Sequence, residues 1–169
     1  VCRLPSAVQV TYLPMNLHAR AMLYSIILAS HNAFRWLVVL AGVWAVFRVW
    51  RGWMSRAVWA EADLNVGRLF VNAISIQFVL GLVLYAVSPL IRQGMADMGT
   101  AMRTAGIRYF MVEHVVMMLV SIALAHIGLA KVKKATTDSA RFQAATIWWG
   151  IAVASVLGFI PWNRPLLPF

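Results

Sequence analysis

Five side chains able to do chemistry lie inside long apolar stretches: His31, Arg35, Glu113, His114 and His126. An ionisable group in hydrocarbon costs about 2.5–3.5 kcal/mol on insertion scales, so each needs a partner or a purpose. The spacing from His31 to Arg48 equals the spacing from His114 to Lys131. Arg48 and Lys131 end two apolar runs of the same direction, so both imidazoles are expected roughly 25 Å from that basic end. Arg35, four residues after His31, shares its helix face. Glu113 adjoins His114, so an interhelical Arg35–Glu113 ion pair is expected. Two histidines at one depth on neighbouring helices suit the two axial positions of a haem b. Arg35, Arg103 or Arg108 would then suit its propionates. Alternatively each histidine ligates the magnesium of a separate chlorophyll-type pigment, or the cluster only locks the first helix to the third. The candidate metal ligands are therefore His31 and His114, with Arg35 and Arg108 as further cofactor-binding residues.

His126 lies about 18 Å further along its helix than His114 and roughly 120° around it, so it cannot serve the same ligand from the same face. A hydrogen-bonded histidine is expected there. Met111, Met117 and Met118 read as flexible packing rather than iron ligands. Gly81 with Tyr85, and Gly150 with Ala154, are spacings that allow close helix contact. Trp44, Trp50, Trp53, Trp59, Trp148, Trp149 and Trp162 fall mostly near the ends of apolar runs, as in an interfacial aromatic belt.

These residues need apolar elements to hold them. Of the 169 residues, 62% are hydrophobic and only 12% charged, with a mean hydropathy of +0.77. A soluble domain carries roughly 25% charged residues. Spanning a bilayer takes about 20 apolar residues, and four stretches qualify: 22–47, 69–91, 109–130 and 142–160. Lipid satisfies no backbone hydrogen bond, and the runs are too long and too little alternating for barrel strands. The expected fold is an all-α integral membrane protein, a four-transmembrane-helix bundle over residues 22–162, with an amino-terminal extension (1–21) and a short tail (163–169).

The first and third connections carry Arg48, Arg51, Arg56, Arg68, Lys131, Lys133, Lys134 and Arg141. The other side carries Arg92, Arg103 and Arg108, with Arg3, Arg20 and Arg164 in the tails. Eight basic residues against six place the first and third loops in the cytoplasm and both termini outside.

The net charge of +10 clusters where apolar runs end, which points to lipid headgroups and away from nucleic acid. Cys2 stands alone, so it makes no internal disulfide. Residues 1–20 show no unbroken apolar core ahead of a cleavage site. The chain begins with Val1, and Met22 is an expected internal start. Phosphate-binding glycine loops, nucleophile–base pairs and zinc spacings are absent from the sequence, so independent catalysis is not expected. Neither a broken helix nor a polar pore stripe is apparent, which disfavours a transporter.

The stretches His31-Asn32-Ala33-Phe34-Arg35-Trp36 and Arg108-Tyr109-Phe110-Met111-Val112-Glu113-His114 resemble a family of small four-helix bacterial membrane proteins labelled cytochrome b-like. Met117-Met118, Ala125-His126-Ile127-Gly128 and Ile160-Pro161-Trp162 are similar too, so the resemblance runs from about Met22 to Trp162. It implies a bacterial inner-membrane protein. In the expected reading the chain is an accessory subunit of an electron-transfer or photosynthetic complex, holding a haem b or (bacterio)chlorophyll through membrane histidines. The alternative is a non-catalytic structural subunit stabilising neighbouring subunits, lipids or pigments without axial ligation. Where related chains carry a histidine on the second helix, this one has Ser75, which removes a partner for His126.

Overall fold

The computed structural model describes the backbone of residues 12–162 and the side chains of residues 18–162. Expectations about Cys2, Arg3 and Arg164 lie outside these residues. Among the described residues every regular element is helical. The order is α1 (Tyr12–Met54), α2 (Glu61–Val87), three short helices α3 (Pro89–Ala96), α4 (Met98–Arg103) and α5 (Ala105–Arg108), a π-helical turn (Tyr109–Glu113), α6 (His114–Lys134) and α7 (Asp138–Gly158). Pro14 falls in the first turn of α1, where its missing N–H has no intrahelical acceptor to lose. Residues 12–21 are thus continuous with the first helix and not a separate extension.

Local chemistry sets the breaks. The carbonyl of Gly52 accepts from the Ala57 N–H, and that of Trp53 from the Arg56 N–H. These bonds close α1 in a Schellman turn, with Arg56 at φ 51°. The Asp63 carboxylate accepts from the Ala60 N–H at 2.8 Å, a reciprocal bond of the kind that starts helices. Ser88 precedes Pro89, and a residue before proline is held out of the helical region, so α2 ends there and α3 opens. The Thr137 hydroxyl accepts from the Ala140 N–H at 3.3 Å, capping α7.

The four long helices form a closed ring. Short connections make α1–α2 and α6–α7 adjacent pairs, and α1 also packs on α7 while α2 packs on α6. The first and third apolar helices, α1 and α6, are therefore diagonal, and not neighbours as expected. The core runs through Val38, Ala45, Val49, Phe70, Ala125, Phe142, Ala145 and Trp149. Small residues let the backbones approach, the main means of helix association where lipid is as apolar as the side chains. A methyl group on Gly42 would meet Val153 (2.8 Å) and Phe70 (2.9 Å). One on Gly67 would enter the Trp149 ring, and one on Gly128 would meet Trp148 and Trp149 at 2.8 Å.

Among the described residues three helical stretches are long and apolar enough to cross a membrane, His18–Met54, Glu61–Val87 and Ala105–Lys134, rather than the four expected. Leu40, Val79, Leu82, Val116 and Leu119 all point outward on them, the inverse of a soluble surface pattern. The fourth expected span corresponds to α7. Its 21 residues include Arg141, Gln143, Thr146, Trp148 and Trp149, which lower its hydropathy. Its inner stripe of Phe142, Ala145, Trp149, Ala152, Val153 and Val156 is buried against protein.

Candidate functional site

One end of the ring holds a cavity of about 500 Å³, within the size range of small-molecule sites. The first half of α1 contributes His31, Asn32 and Arg35; α2 contributes Gln77, Gly81 and Tyr85; α6 contributes His114 and Met118. Leu90 and Ile91 of α3, and Ile160 with Pro161 beyond α7, complete the wall. The structure thus brings His31, His114 and Arg35 to one cavity. Arg108 does not line it. Its Nε donates to Glu113 Oε1 (2.7 Å) and its NH1 to the Met102 carbonyl (3.1 Å). The acid expected to partner Arg35 is therefore engaged by Arg108. Arg35 is buried at 7% exposure, with its guanidinium carbon 5.8 Å from the Trp36 ring centre.

The π-helical turn decides what His114 does. Hydrogen bonding from each residue to the fifth one along, seen in the His114 N–H to the Tyr109 carbonyl, brings such residues onto one face. Tyr109 Oη and His114 Nδ1 consequently reach the same acceptor, the Phe159 carbonyl, at 2.7 Å and 2.9 Å. A carbonyl oxygen only accepts, so the proton sits on Nδ1 and Nε2 keeps its lone pair. This is the arrangement in which metal-binding histidines are held, the far nitrogen donating to a carbonyl.

His31 is set differently. Gln77 Nε2 lies 3.0 Å from the His31 carbonyl oxygen and 3.2 Å from His31 Nε2. The carbonyl fixes the amide orientation, because Gln77 Oε1 would repel it. The amide N–H groups then donate to both atoms, so His31 Nε2 is the acceptor and Nδ1 carries the proton. Two buried atoms of this pair are left without a hydrogen-bond partner among the described residues, His31 Nδ1 and Gln77 Oε1. Each such atom costs about 1–3 kcal/mol.

His126 stands apart from this cavity. Its Nε2 pairs with Ser75 Oγ at 3.0 Å, so Ser75 serves as its hydrogen-bond partner. Among the described residues no group of three or more His, Cys, Asp or Glu is placed to hold a bare metal ion. A macrocycle, which brings its own four equatorial ligands, asks for less. Comparison with protein-family models, curated proteins and solved structures gave no match to this chain.

The asymmetry between the two imidazoles was not visible in the sequence. It depends on Gln77 and on the Phe159 carbonyl, which are 46 and 45 residues away along the chain. The only prior signal was that Gln77 is a rare polar residue inside a span.

Proposed function

We propose that the chain is an accessory, non-catalytic subunit of a membrane electron-transfer or photosynthetic complex, holding a tetrapyrrole through a single axial bond from His114. The observation that carries this reading is the His114 Nδ1–H to Phe159 carbonyl bond, which leaves Nε2 as a lone pair on a cavity wall. A bis-imidazole haem b asks more of the site, because the His31 Nε2 lone pair is held by Gln77 and that bond would have to break. Single ligation needs no such change, and suits a (bacterio)chlorophyll magnesium or a haem b bound on one side. Bound there, the group would supply one-electron or light-harvesting chemistry. The chain's own part is to orient the ligand and exclude water, with Arg35 on the same wall.

In this reading α7 also crosses the bilayer, shielded by α1 and α6, as the resemblance to the cytochrome b-like family implies. The basic ends of α1 and α6 would face the cytoplasm of a bacterial inner membrane, with both termini on the periplasmic side. Membrane lipids and other subunits of the complex would be its partners.

One set of observations favours a structural subunit instead: His31, His114 and His126 are each bonded to a different part of the chain. His31 ties α1 to α2, His126 ties α6 to α2, and His114 ties α6 to the end of α7. A reduced-minus-oxidised visible spectrum with pigment extraction separates the readings. A band or pigment lost in His114→Ala and kept in His31→Ala supports single ligation. Loss in both variants indicates two axial histidines. If the purified wild type carries neither band nor pigment, the structural reading replaces the first.

A further inference from the structure

We infer that the groove beside the last turns of α1 binds the phosphate of an anionic phospholipid whose headgroup is otherwise uncharged, best met by phosphatidylglycerol. The groove lies about 25 Å along α1 from His31, at the other end of the bundle from the cavity. The inference therefore goes beyond the tetrapyrrole reading and rests only on the chain crossing a bilayer.

The sequence of α1 orders its outward stripe. Leu40, Trp44, Phe47 and Arg51 recur at helical spacing, and all four are exposed. Aliphatic, aromatic and cationic side chains thus succeed one another along the helix as hydrocarbon, interface and headgroups do across a bilayer. At the cationic end lies a groove of about 300 Å³. Trp44 and Phe47, with ring centres 6.3 Å apart, line it beside Arg48, Arg51 and Ser55.

The charges select the ligand. Among the described residues Arg48, Arg51 and Asp63 are the ionisable side chains that line the groove. Asp63 is buried, and both of its oxygens are taken. Oδ1 accepts from Arg48 Nε at 2.7 Å and Oδ2 from the Ala60 N–H at 2.8 Å. A lipid ammonium would meet no free carboxylate here, which disfavours phosphatidylethanolamine and phosphatidylcholine. Arg51 is exposed and makes no hydrogen bond or ion pair with the described residues. Arg48 has further N–H donors beyond the one given to Asp63. Two guanidiniums less one carboxylate leave a single positive charge, which one phosphodiester balances, and the forked donors of arginine suit phosphate. Ser55 donates its hydroxyl to the Gly52 carbonyl at 3.4 Å, so its oxygen can still accept from a glycerol hydroxyl.

The full chain in dodecylmaltoside micelles is titrated with phosphatidylglycerol and with phosphatidylcholine, each brominated on its acyl chains, following quenching of tryptophan fluorescence. Wild type should bind phosphatidylglycerol roughly tenfold more tightly, with phosphatidylethanolamine as weak as phosphatidylcholine. Arg51→Gln should reduce that preference severalfold. An exposed residue without a partner is a substitution that folds tolerate, whereas Arg48→Gln would strand the buried Asp63. Lys134→Gln removes a positive charge at the same end of the bundle but outside the groove, and should leave the preference unchanged. Inorganic phosphate is the second arm. Weak competition by it supports a lipid; competition as strong as that of unbrominated phosphatidylglycerol assigns the groove to free phosphate and overturns the inference. A wild-type preference near one, or an equal loss in Arg51→Gln and Lys134→Gln, overturns it too, the latter in favour of general charge attraction. Quenching by neither lipid removes the bilayer reading as well. An intact lipid preference without any visible band removes the tetrapyrrole and keeps this site.

Discussion

Replacing Gly67 with alanine tests the packing that holds the cavity walls together. The new methyl would fall among Cη2, Cζ2 and Cζ3 of Trp149, all in the six-membered ring. Trp149 is fully buried, so it cannot swing into lipid. It cannot withdraw from α2 either, because a methyl on Gly128 of α6 would already stand 2.8 Å from Cδ1 and Nε1. The indole N–H is committed to the Ala125 carbonyl at 3.3 Å. Overpacking costs about 1–3 kcal/mol, and displacing the indole from its acceptor adds about 1–3 kcal/mol. Gly67→Ala should therefore destabilise the bundle by about 2–6 kcal/mol. Trp149→Phe removes the clashing atoms and should cost about 2–4 kcal/mol by itself through the cavity it leaves. The double variant should then be more stable than the sum of the two losses predicts, with a coupling of about 1 kcal/mol or more. Helicity followed by circular dichroism during titration of mixed micelles with a denaturing detergent measures all three. A Gly67→Ala loss below about 0.5 kcal/mol, or strict additivity, would refute the reasoning.

Arg56 holds a left-handed φ of 51° at the end of α1, a conformation that disfavours a Cβ. Arg56→Gly should raise stability by about 0.5–1 kcal/mol in the same titration, and a loss would show that the arginine side chain contributes more than its backbone costs. Asp97 accepts the Thr100 N–H at 3.0 Å as the cap of α4, and this bond holds its carboxyl below the usual 3.8. Because the folded value is depressed, the cap's contribution is present above the unfolded value and is lost as pH falls through the folded one. The Thr100 amide resonance should titrate with a midpoint below 3.8, and a midpoint at or above it would remove the cap.

The helical architecture was legible because length and apolar composition leave a membrane-crossing chain little choice. The fourth expected span falls short in hydropathy because α7 carries Arg141, an exposed Gln143, Thr146 and paired tryptophans, with one face of the helix buried against protein. For the same reason Trp149, assigned to an interfacial belt, lies in the core, whereas Trp44 and Trp50 are about half exposed. Of the expected small-residue contacts, Gly81 does approach another helix, at His31 of α1, and Gly150 does not. Nothing lies within 4 Å of a methyl on Gly150, while Gly42, Gly67 and Gly128 hold the close approaches. A single sequence gives spacing along one helix but not which face meets which neighbour. The clustering of His31, Arg35 and His114 was legible from their matched depths. The Arg35–Glu113 pairing was not, because Arg108 lies only five residues from Glu113 and reaches it without crossing the bundle.

The irregular turn at 109–113 couples the cavity to the far end of α7. In an uninterrupted α-helix Tyr109 and His114 would diverge by about 140°, and only one could face Phe159. The extra residue in the turn makes a single backbone oxygen the anchor of a phenol and an imidazole together. A shift of the chain at Phe159 is thereby felt by both rings at once. Which imidazole nitrogen keeps its proton is in this way tied to the seating of the last turn of α7.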